Sequence, residues 1–438
     1  MKHFDLPKDG GLKEADIPLD ILHGYERIYT EIRSDAISAS EEIADTIVSL
    51  ISNHKSKAPF KLGLTTGKTP FALYNALCKR YQEGKVSFNN VEIFSIDEYY
   101  PTSPDAAQSR NYRLHKEILD VIDIKPENVH IPDGTINNEE ISTYCAKLDE
   151  AASKMDLLVI GIGENGQVGF NESGSSMQSR TRVVLLPYAS RKRQAKNFNG
   201  DVASTPDKAI TLGIRTLMSA KKVILMAWGE DKVSVVRRIV EDNFSSDSPA
   251  SFFQAHHDAK LYVDNVAAAS LTREDAPWLI GPCDWTPKFR RKAVIWLCHK
   301  LGKPVLKLTQ SDYLQNSLGE LLDKFGPYDK INIDIFNDLQ HTITGWPGGK
   351  PNSSDETRPV SSTPFPKTVL IFSPHPDDDI ISMGGTFIRL AHQGHNVHVA
   401  YETSGDLAVH DDVVMQHLDA IKQLGIRRKF PHDFDSPH

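Results

Sequence analysis

The stretch Gly161-Ile162-Gly163-Glu164-Asn165-Gly166-Gln167-Val168-Gly169-Phe170-Asn171-Glu172 decides how this chain folds. The apolar run Met155 to Ile160 ahead of it reads as a buried strand. Glycines at 161, 163 and 166 then let the backbone turn sharply and approach a ligand closely. Asn165, Gln167 and Glu172 stand where the carboxyl end of a strand opens into a crevice, the usual ligand site of an α/β sheet. A Gly-rich turn by itself is equally ordinary loop chemistry, so its meaning depends on its surroundings.

Those surroundings alternate. Apolar residues from Ser34 to His54 recur at helical spacing, and Leu62 to Thr65 is strand-like ahead of a helix over Phe71 to Tyr81. Val91 to Ile96, Leu157 to Ile160, Lys222 to Trp228 and Lys260 to Asp264 read as strands, with helical patterns such as Lys232 to Val240 between them. Alternation of this kind predicts a doubly wound, mostly parallel sheet covered on both faces. The spacing places this domain at residues 30–268, after an N-terminal extension 1–29. A helical connector, 269–345, follows, with Trp296, Leu297, Leu301 and a run from Tyr313 to Phe325. Residues 346–366 are rich in Pro, Gly, Ser and Thr and read as a linker. A second α/β unit occupies 367–438, with strands Thr368 to Phe372 and Val397 to Tyr401 and a helix Ile380 to His392 between them. About seventy residues are few for such a domain, so this unit is expected to be partial.

Four motifs carry possible chemistry. Leu62-Gly63-Leu64-Thr65-Thr66-Gly67-Lys68-Thr69-Pro70 offers backbone N–H groups and hydroxyls at a helix start, which suits a phosphate. Its Gly67-Lys68-Thr69 tail imitates a nucleotide P-loop, but the spacing from Gly63 is one residue short, which excludes an NTPase of that kind. The bland reading makes Thr69 a helix cap before Pro70. The adjacent carboxylates Asp97 and Glu98 follow a strand, where one can serve as a general base or both can be a cap and a solvated acid. Arg180, Arg182, Arg191, Lys192, Arg193 and Lys196 form a cationic stretch, either a solvated face or a local anion site, and Lys232 is a further phosphate ligand candidate. Finally, Ser373-Pro374-His375-Pro376-Asp377-Asp378-Asp379 places a His beside carboxylates, the types that hold a metal, although two ligands are too few for a catalytic zinc.

Composition narrows the class. Of 438 residues, 39% are hydrophobic and 25% charged, as in ordinary globular proteins, and a net charge of -8 argues against general nucleic-acid binding. Four scattered cysteines without a CxxC pair suggest a reducing compartment. The start Met1 to Asp5 lacks an apolar signal segment and no stretch is long enough to span a membrane, so a cytoplasmic location and no membrane partner are the expectation.

Taken together, residues 30–268 resemble the glucosamine-6-phosphate deaminase family, whose superfamily includes 6-phosphogluconolactonases. The matching blocks are LGLTTGKTP, FSIDEYY, IKPENVHIPDG, DLLVIGIGENGQVGFNESGSSMQSRTR and VILMAWGEDK, in order and at fitting spacing. The resemblance implies a doubly wound α/β fold, assembly as a homo-oligomer and a sugar phosphate as small-molecule partner. It implies that Asp97 is the base for the C2 proton, Glu172 the acid of the ring-opening group, Thr66, Gly67, Lys68 and Thr69 the phosphate loop, and Lys232 a phosphate ligand. Lys196 falls where the family has a phosphate-binding Arg, so charge is kept but two-pronged geometry is lost. Asn165-Gly166-Gln167 stands where the family reads Asp-Gly-His, and a neutral amide cannot accept and return a proton as an imidazole does. Arg182 matches a cation of the effector site in allosteric members, but Val184 replaces a Lys of that site.

Residues 367–438 resemble the start of the zinc-dependent N-acetylglucosamine deacetylase family through the PHPDD block, which implies His375 and Asp378 as metal ligands and Asp377 as base. Asp379 replaces the family's Glu, and His432 and His438 lack the context of its later His ligand. The expected activity is conversion of glucosamine 6-phosphate and water to fructose 6-phosphate and ammonia, with weakened ring opening. It needs no cofactor, and zinc enters only if the C-terminal unit is complete. The alternatives are a sugar-phosphate-binding pseudoenzyme that senses, or a related phosphosugar isomerase or lactonase.

Overall fold

Strand residues alternate between two buried faces. Leu157 and Val159 join one apolar cluster with Leu62, Ile224 and Met226, while Leu158 and Ile160 join another with Val223, Leu225 and Leu261. A strand buried on both sides is what a parallel sheet clad in helices requires. The computed structural model describes residues 11–12, 17–340, 368–392, 394–404 and 411–423. The expected linker, residues 1–10 and 13–16 of the N-terminal extension, and His432 and His438 lie outside the described residues. The chain divides into two compact units, Met1–Leu297 with Tyr313–Leu321, and Cys298–Asp312 with Leu322–His438.

Besides a short antiparallel pair, Gly11–Leu12 with Cys283–Asp284, the strands of the larger unit are β1 (Tyr29–Arg33), β2 (Phe60–Leu64), β3 (Val91–Ser95), β4 (Asp97–Tyr100), β5 (Val129–His130), β6 (Leu157–Gly161), β7 (Arg182–Leu185), β8 (Lys208–Thr211), β9 (Val223–Ala227) and β10 (Ala259–Asp264). Seven form one sheet in the order β1-β10-β9-β6-β2-β3-β5, every pair parallel. From β2 the chain winds outward through β3 to β5. It then returns to β6, beside β2, and winds the other way through β9 to β10. The reversal point therefore lies between β2 and β6, where their carboxyl ends open a crevice.

Helices cover both faces. α1 (Ala36–Ser52) and α2 (Phe71–Gln82) bring Ile43, Ile47, Leu73 and Leu77 to the first cluster. The others used below are α3 (Arg110–Leu114), α4 (Ile141–Ala151), α5 (Tyr188–Gln194) and α6 (Val233–Glu241), and α6 lays Val235, Val236 and Ile239 on the second cluster. α1 begins with a capping box, in which Asp35 accepts from Ser38 N at 2.8 Å.

A second sheet in this unit went unread in the sequence: β4-β8-β7, antiparallel, with Asp97 opposite Thr211 and Thr211 opposite Arg182. Its four-residue strands give too short an alternation to stand out. It matters because β3 leaves the parallel sheet at Ser95 and re-enters order at Asp97, which puts Asp97 at the seam between the sheets.

Two expected helices are each broken. Tyr313 to Phe325 is Gln310–Leu314 and Gly319–Phe325, separated by a turn with Ser317 at φ 61°. Ile380 to His392 is Asp378–Ile381 and Gly384–His392, divided ahead of the weak helix formers Gly384 and Gly385. In the smaller unit the strands Thr368–Ser373 and Asn396–Tyr401 pair in parallel. Among the described residues no helix is long and apolar enough to cross a membrane.

Candidate active site

Two loops meet at the reversal point. After β2, the loop Thr65–Pro70 leads into α2, and Gly67 holds φ 132°, a conformation open to glycine and strained for other residues. Thr69 does not cap α2. Pro70 occupies the cap position without a side-chain bond, and the Thr69 carbonyl accepts from Trp228 Nε1 at 3.0 Å. The Tyr74 hydroxyl donates to the Thr65 carbonyl beneath the loop. The Thr66 hydroxyl is buried and bonds nothing among the described residues. A buried orphan hydroxyl is rare and suits a ligand contact.

After β6, the loop folds on itself. Gly163 N donates to the Gln167 carbonyl at 2.9 Å, and Asn165 N donates to Gln167 Oε1 at 3.0 Å. The Gln167 side chain lies so close over Gly163 that a Cβ there would sit 2.1 Å from its Cδ. Ala250 N, donating to the Gly166 carbonyl at 2.8 Å, pins the loop from outside.

Between the loops lies a cavity of about 450 Å³. Its lining includes all of Thr65–Pro70, and also Asp97, Arg110, Arg113, Glu164, Gln167, Arg193, Lys196, Trp228, Asp231 and Lys232. Of the sequence-read residues, Asp97, Thr66, Gly67, Lys68, Thr69, Gln167, Lys196 and Lys232 are thus brought together. Asn165 and Glu172 are not in the lining. Asn165 is exposed at the loop tip, because the two-residue turn that feeds Gln167 inward sends its own side chain to solvent. Glu172 is half-buried and accepts from Ser190 Oγ at 2.6 Å. Arg110, Arg113 and Trp228 were missed as site residues, and nothing in their local pattern marks them. In the sequence Arg193 reads only as part of a charge run.

The carboxylate pair separates by strand alternation. Glu98 turns into the protein and accepts backbone N–H bonds from Tyr99, Arg110 and Asn111 at 2.7, 2.9 and 2.8 Å, fixing the start of α3. Asp97 turns to the cavity floor, 3% exposed, with Oδ1 making no hydrogen bond. Arg110 Nε lies 3.4 Å from it, and that guanidinium packs against the adjoining Tyr99 and Phe170 rings, 4.9 and 5.3 Å from their centroids. Burial pushes the Asp97 carboxyl above its usual range, opposed by the Arg110 charge. Burial likewise lowers the Lys232 ammonium, opposed by Glu164 and Asp231 and reinforced by the nearby Arg193 and Lys196. A buried, poorly solvated base thus faces a cluster of cations over a Gly/Thr loop. Such an arrangement can hold a phosphate and move a proton on the molecule attached to it.

Arg182 is committed to structure. Its Nη atoms donate to Asn171 Oδ1 and Ser175 Oγ at 3.1 and 3.2 Å. In the smaller unit, His375 Nδ1 and Asp378 Oδ2 bond each other at 2.9 Å, Asp377 is exposed, and Asp379 is the buried carboxylate, accepting from the Tyr401 hydroxyl at 3.3 Å. Among the described residues no three metal-ligating side chains converge, and a catalytic zinc takes three protein ligands.

Residues 34–263 match the family model of glucosamine-6-phosphate isomerases and 6-phosphogluconolactonases, and residues 370–429 match that of GlcNAc-PI de-N-acetylase. A glucosamine-6-phosphate deaminase-like protein of Bacteroides thetaiotaomicron is 45% identical over 92% of this chain, which spans 61% of that relative's length. A glucosamine-6-phosphate deaminase of Bacillus subtilis is 36% identical over 53% of this chain and 94% of its own. Among solved structures, a monomeric glucosamine-6-phosphate deaminase superposes with a TM-score of 0.52 at 32% identity, covering 55% of this chain and 99% of that one.

Proposed function

Because the chain belongs to the family of glucosamine-6-phosphate isomerases and 6-phosphogluconolactonases, we propose that it converts glucosamine 6-phosphate and water to fructose 6-phosphate and ammonia, with slowed opening of the sugar ring. The observation that carries this reading is Asp97, buried at the floor of a cavity whose rim is the Thr66–Thr69 loop with Lys196 and Lys232. The phosphate docks on that loop and its cations, which sets the sugar's C1–C2 bond over Asp97. On the open-chain aldehyde, Asp97 takes the proton from C2 and returns it to C1. The aldehyde becomes a ketose-level imine, water adds at C2, and the amine leaves as ammonia. No cofactor enters these steps.

Ring opening needs a proton moved onto the ring oxygen. The β6 loop lines the cavity with the exposed Glu164 and with the neutral amide of Gln167, which stands where the family has its proton-carrying His. Its carbonyl oxygen is already used by Asn165 N. The same observation favours a second reading, a sugar-phosphate-binding sensor without turnover. Release of ammonia from the purified chain, measured with several hexosamine 6-phosphates, tests the two. Tight binding with no ammonia from any of them rejects the enzyme, and turnover at the rate of an ordinary deaminase rejects the slowed ring opening.

A further inference from the structure

The family resemblance gives Glu172 the role of an acid beside the sugar ring, but its contacts point elsewhere. Glu172 Oε1 accepts from the Ser190 hydroxyl at 2.6 Å, and Ser190 Oγ accepts in turn from Arg193 Nη2 at 2.7 Å. Ser190 is 5% exposed and lies three residues before Arg193 on α5, so both share one helix face. Arginine only donates. A hydroxyl that accepts from it must send its own proton elsewhere, and the Glu172 carboxylate is the acceptor within reach. The chain from guanidinium to hydroxyl to carboxylate is therefore polarised in one direction and fixes how Arg193 points. Arg193 lines the cavity with Lys196 and Lys232, and its charge is felt at Lys232.

We infer that Glu172 and Ser190 are positioning residues that hold Arg193 as a phosphate ligand of the cavity. Arg193 supplies the planar, two-pronged donor that Lys196, a point charge three residues later, cannot. The inference rests on the cavity being the sugar-phosphate site, and it assigns Glu172 to binding rather than to ring opening.

Calorimetric titration of the full chain with inorganic phosphate, combined with steady-state kinetics on glucosamine 6-phosphate, tests it. Arg193→Met should weaken phosphate binding about tenfold or more, the worth of a hydrogen bond to a charged group. Glu172→Gln and Ser190→Ala should each weaken it by a smaller factor, and those losses should vanish in the Arg193→Met background. In turnover, the Glu172→Gln defect should fall on KM more than on kcat. Arg193→Lys should restore only part of the affinity. The inference is overturned if Glu172→Gln lowers kcat while phosphate affinity holds, which is the ring-acid role. It is also overturned if Glu172→Gln acts equally with and without Arg193, or if the unaltered chain binds no phosphate. A coupled Glu172–Arg193 cycle in a chain that releases no ammonia would sink the deaminase reading and leave the relay standing.

Discussion

At the scale of single residues, Asp97 carries the most consequence. Its burial disfavours the carboxylate, so its folded pKa lies above its unfolded one. A raised acid contributes stability at pH values below its unfolded pKa, and that contribution is lost as pH rises through the folded value. At neutral pH the ionised Asp97 is therefore a liability. Asp97→Asn should abolish turnover yet melt higher than the unaltered chain at pH 7, with the gap closing as pH falls into the acid range. Calorimetric melting across pH checks this, and a lower melting temperature at pH 7 would contradict it. The same burial places the acid limb of kcat/KM above the usual carboxylate range. Arg110 opposes the shift, so Arg110→Met should move that limb higher still. An unmoved limb would mean that the 3.4 Å pair does not tune the base. Installing Asn165→Asp with Gln167→His should raise turnover on glucosamine 6-phosphate by about 10²-fold, the scale of general acid–base help. The cavity position of Gln167 and the exposure of Asn165 make the imidazole the larger share.

At the scale of elements, the loops matter through what anchors them. Glu98 binds three backbone N–H groups at the joint of β4 and α3, and α3 delivers both Arg110 and Arg113 to the cavity. Glu98→Ala leaves buried donors unpaired and should cost about 2 kcal/mol or more of unfolding free energy. Denaturant titration reads that loss, and a change within ±0.5 kcal/mol would show that the joint is held elsewhere. Gly163→Ala meets Gln167 head-on. It should displace the amide from the cavity and impair kcat while phosphate binding at the β2 loop persists.

At the scale of the whole molecule, sign and place of charge diverge. The chain is acidic at -8, yet its cavity gathers Lys68, Arg110, Arg113, Arg193, Lys196 and Lys232 against Asp97, Glu164 and Asp231. Net charge fixes long-range behaviour, and local fields fix what a crevice binds. Hexose phosphate affinity should therefore fall as salt rises from dilute buffer to 0.5 M, as screening shortens the range of the cations to a few ångströms. Affinity should also fall as pH climbs through the lowered pKa of Lys232, which loses its proton earlier than an exposed lysine. Titration calorimetry against salt and pH measures both, and salt-independent affinity would place the phosphate away from this cluster.

The sequence by itself determined five of the seven strands of the parallel sheet, its crevice loops and the motif residues that line them, because each is written in short-range signals, whereas the edge strands β1 and β5 went unread. Apolar runs of strand length, helical periodicity and clustered glycines need no partner to be read. Thus β2, β3, β6, β9 and β10 lie within a residue or two of where periodicity put them. Only the tertiary structure decided which members of each motif face the cavity. Asp97 and Glu98 are indistinguishable as neighbours, and strand alternation at the seam of two sheets sends one to the cavity and the other to α3. Asn165 and Gln167 share a turn whose path, pinned by residues some eighty positions later, turns one out and the other in. Arg110 and Arg193 line the cavity held by contacts from other elements, Tyr99 and Phe170 for the first and, through Ser190 of its own helix, Glu172 for the second. Side-chain direction and long-range contact arise from packing, which no local pattern encodes.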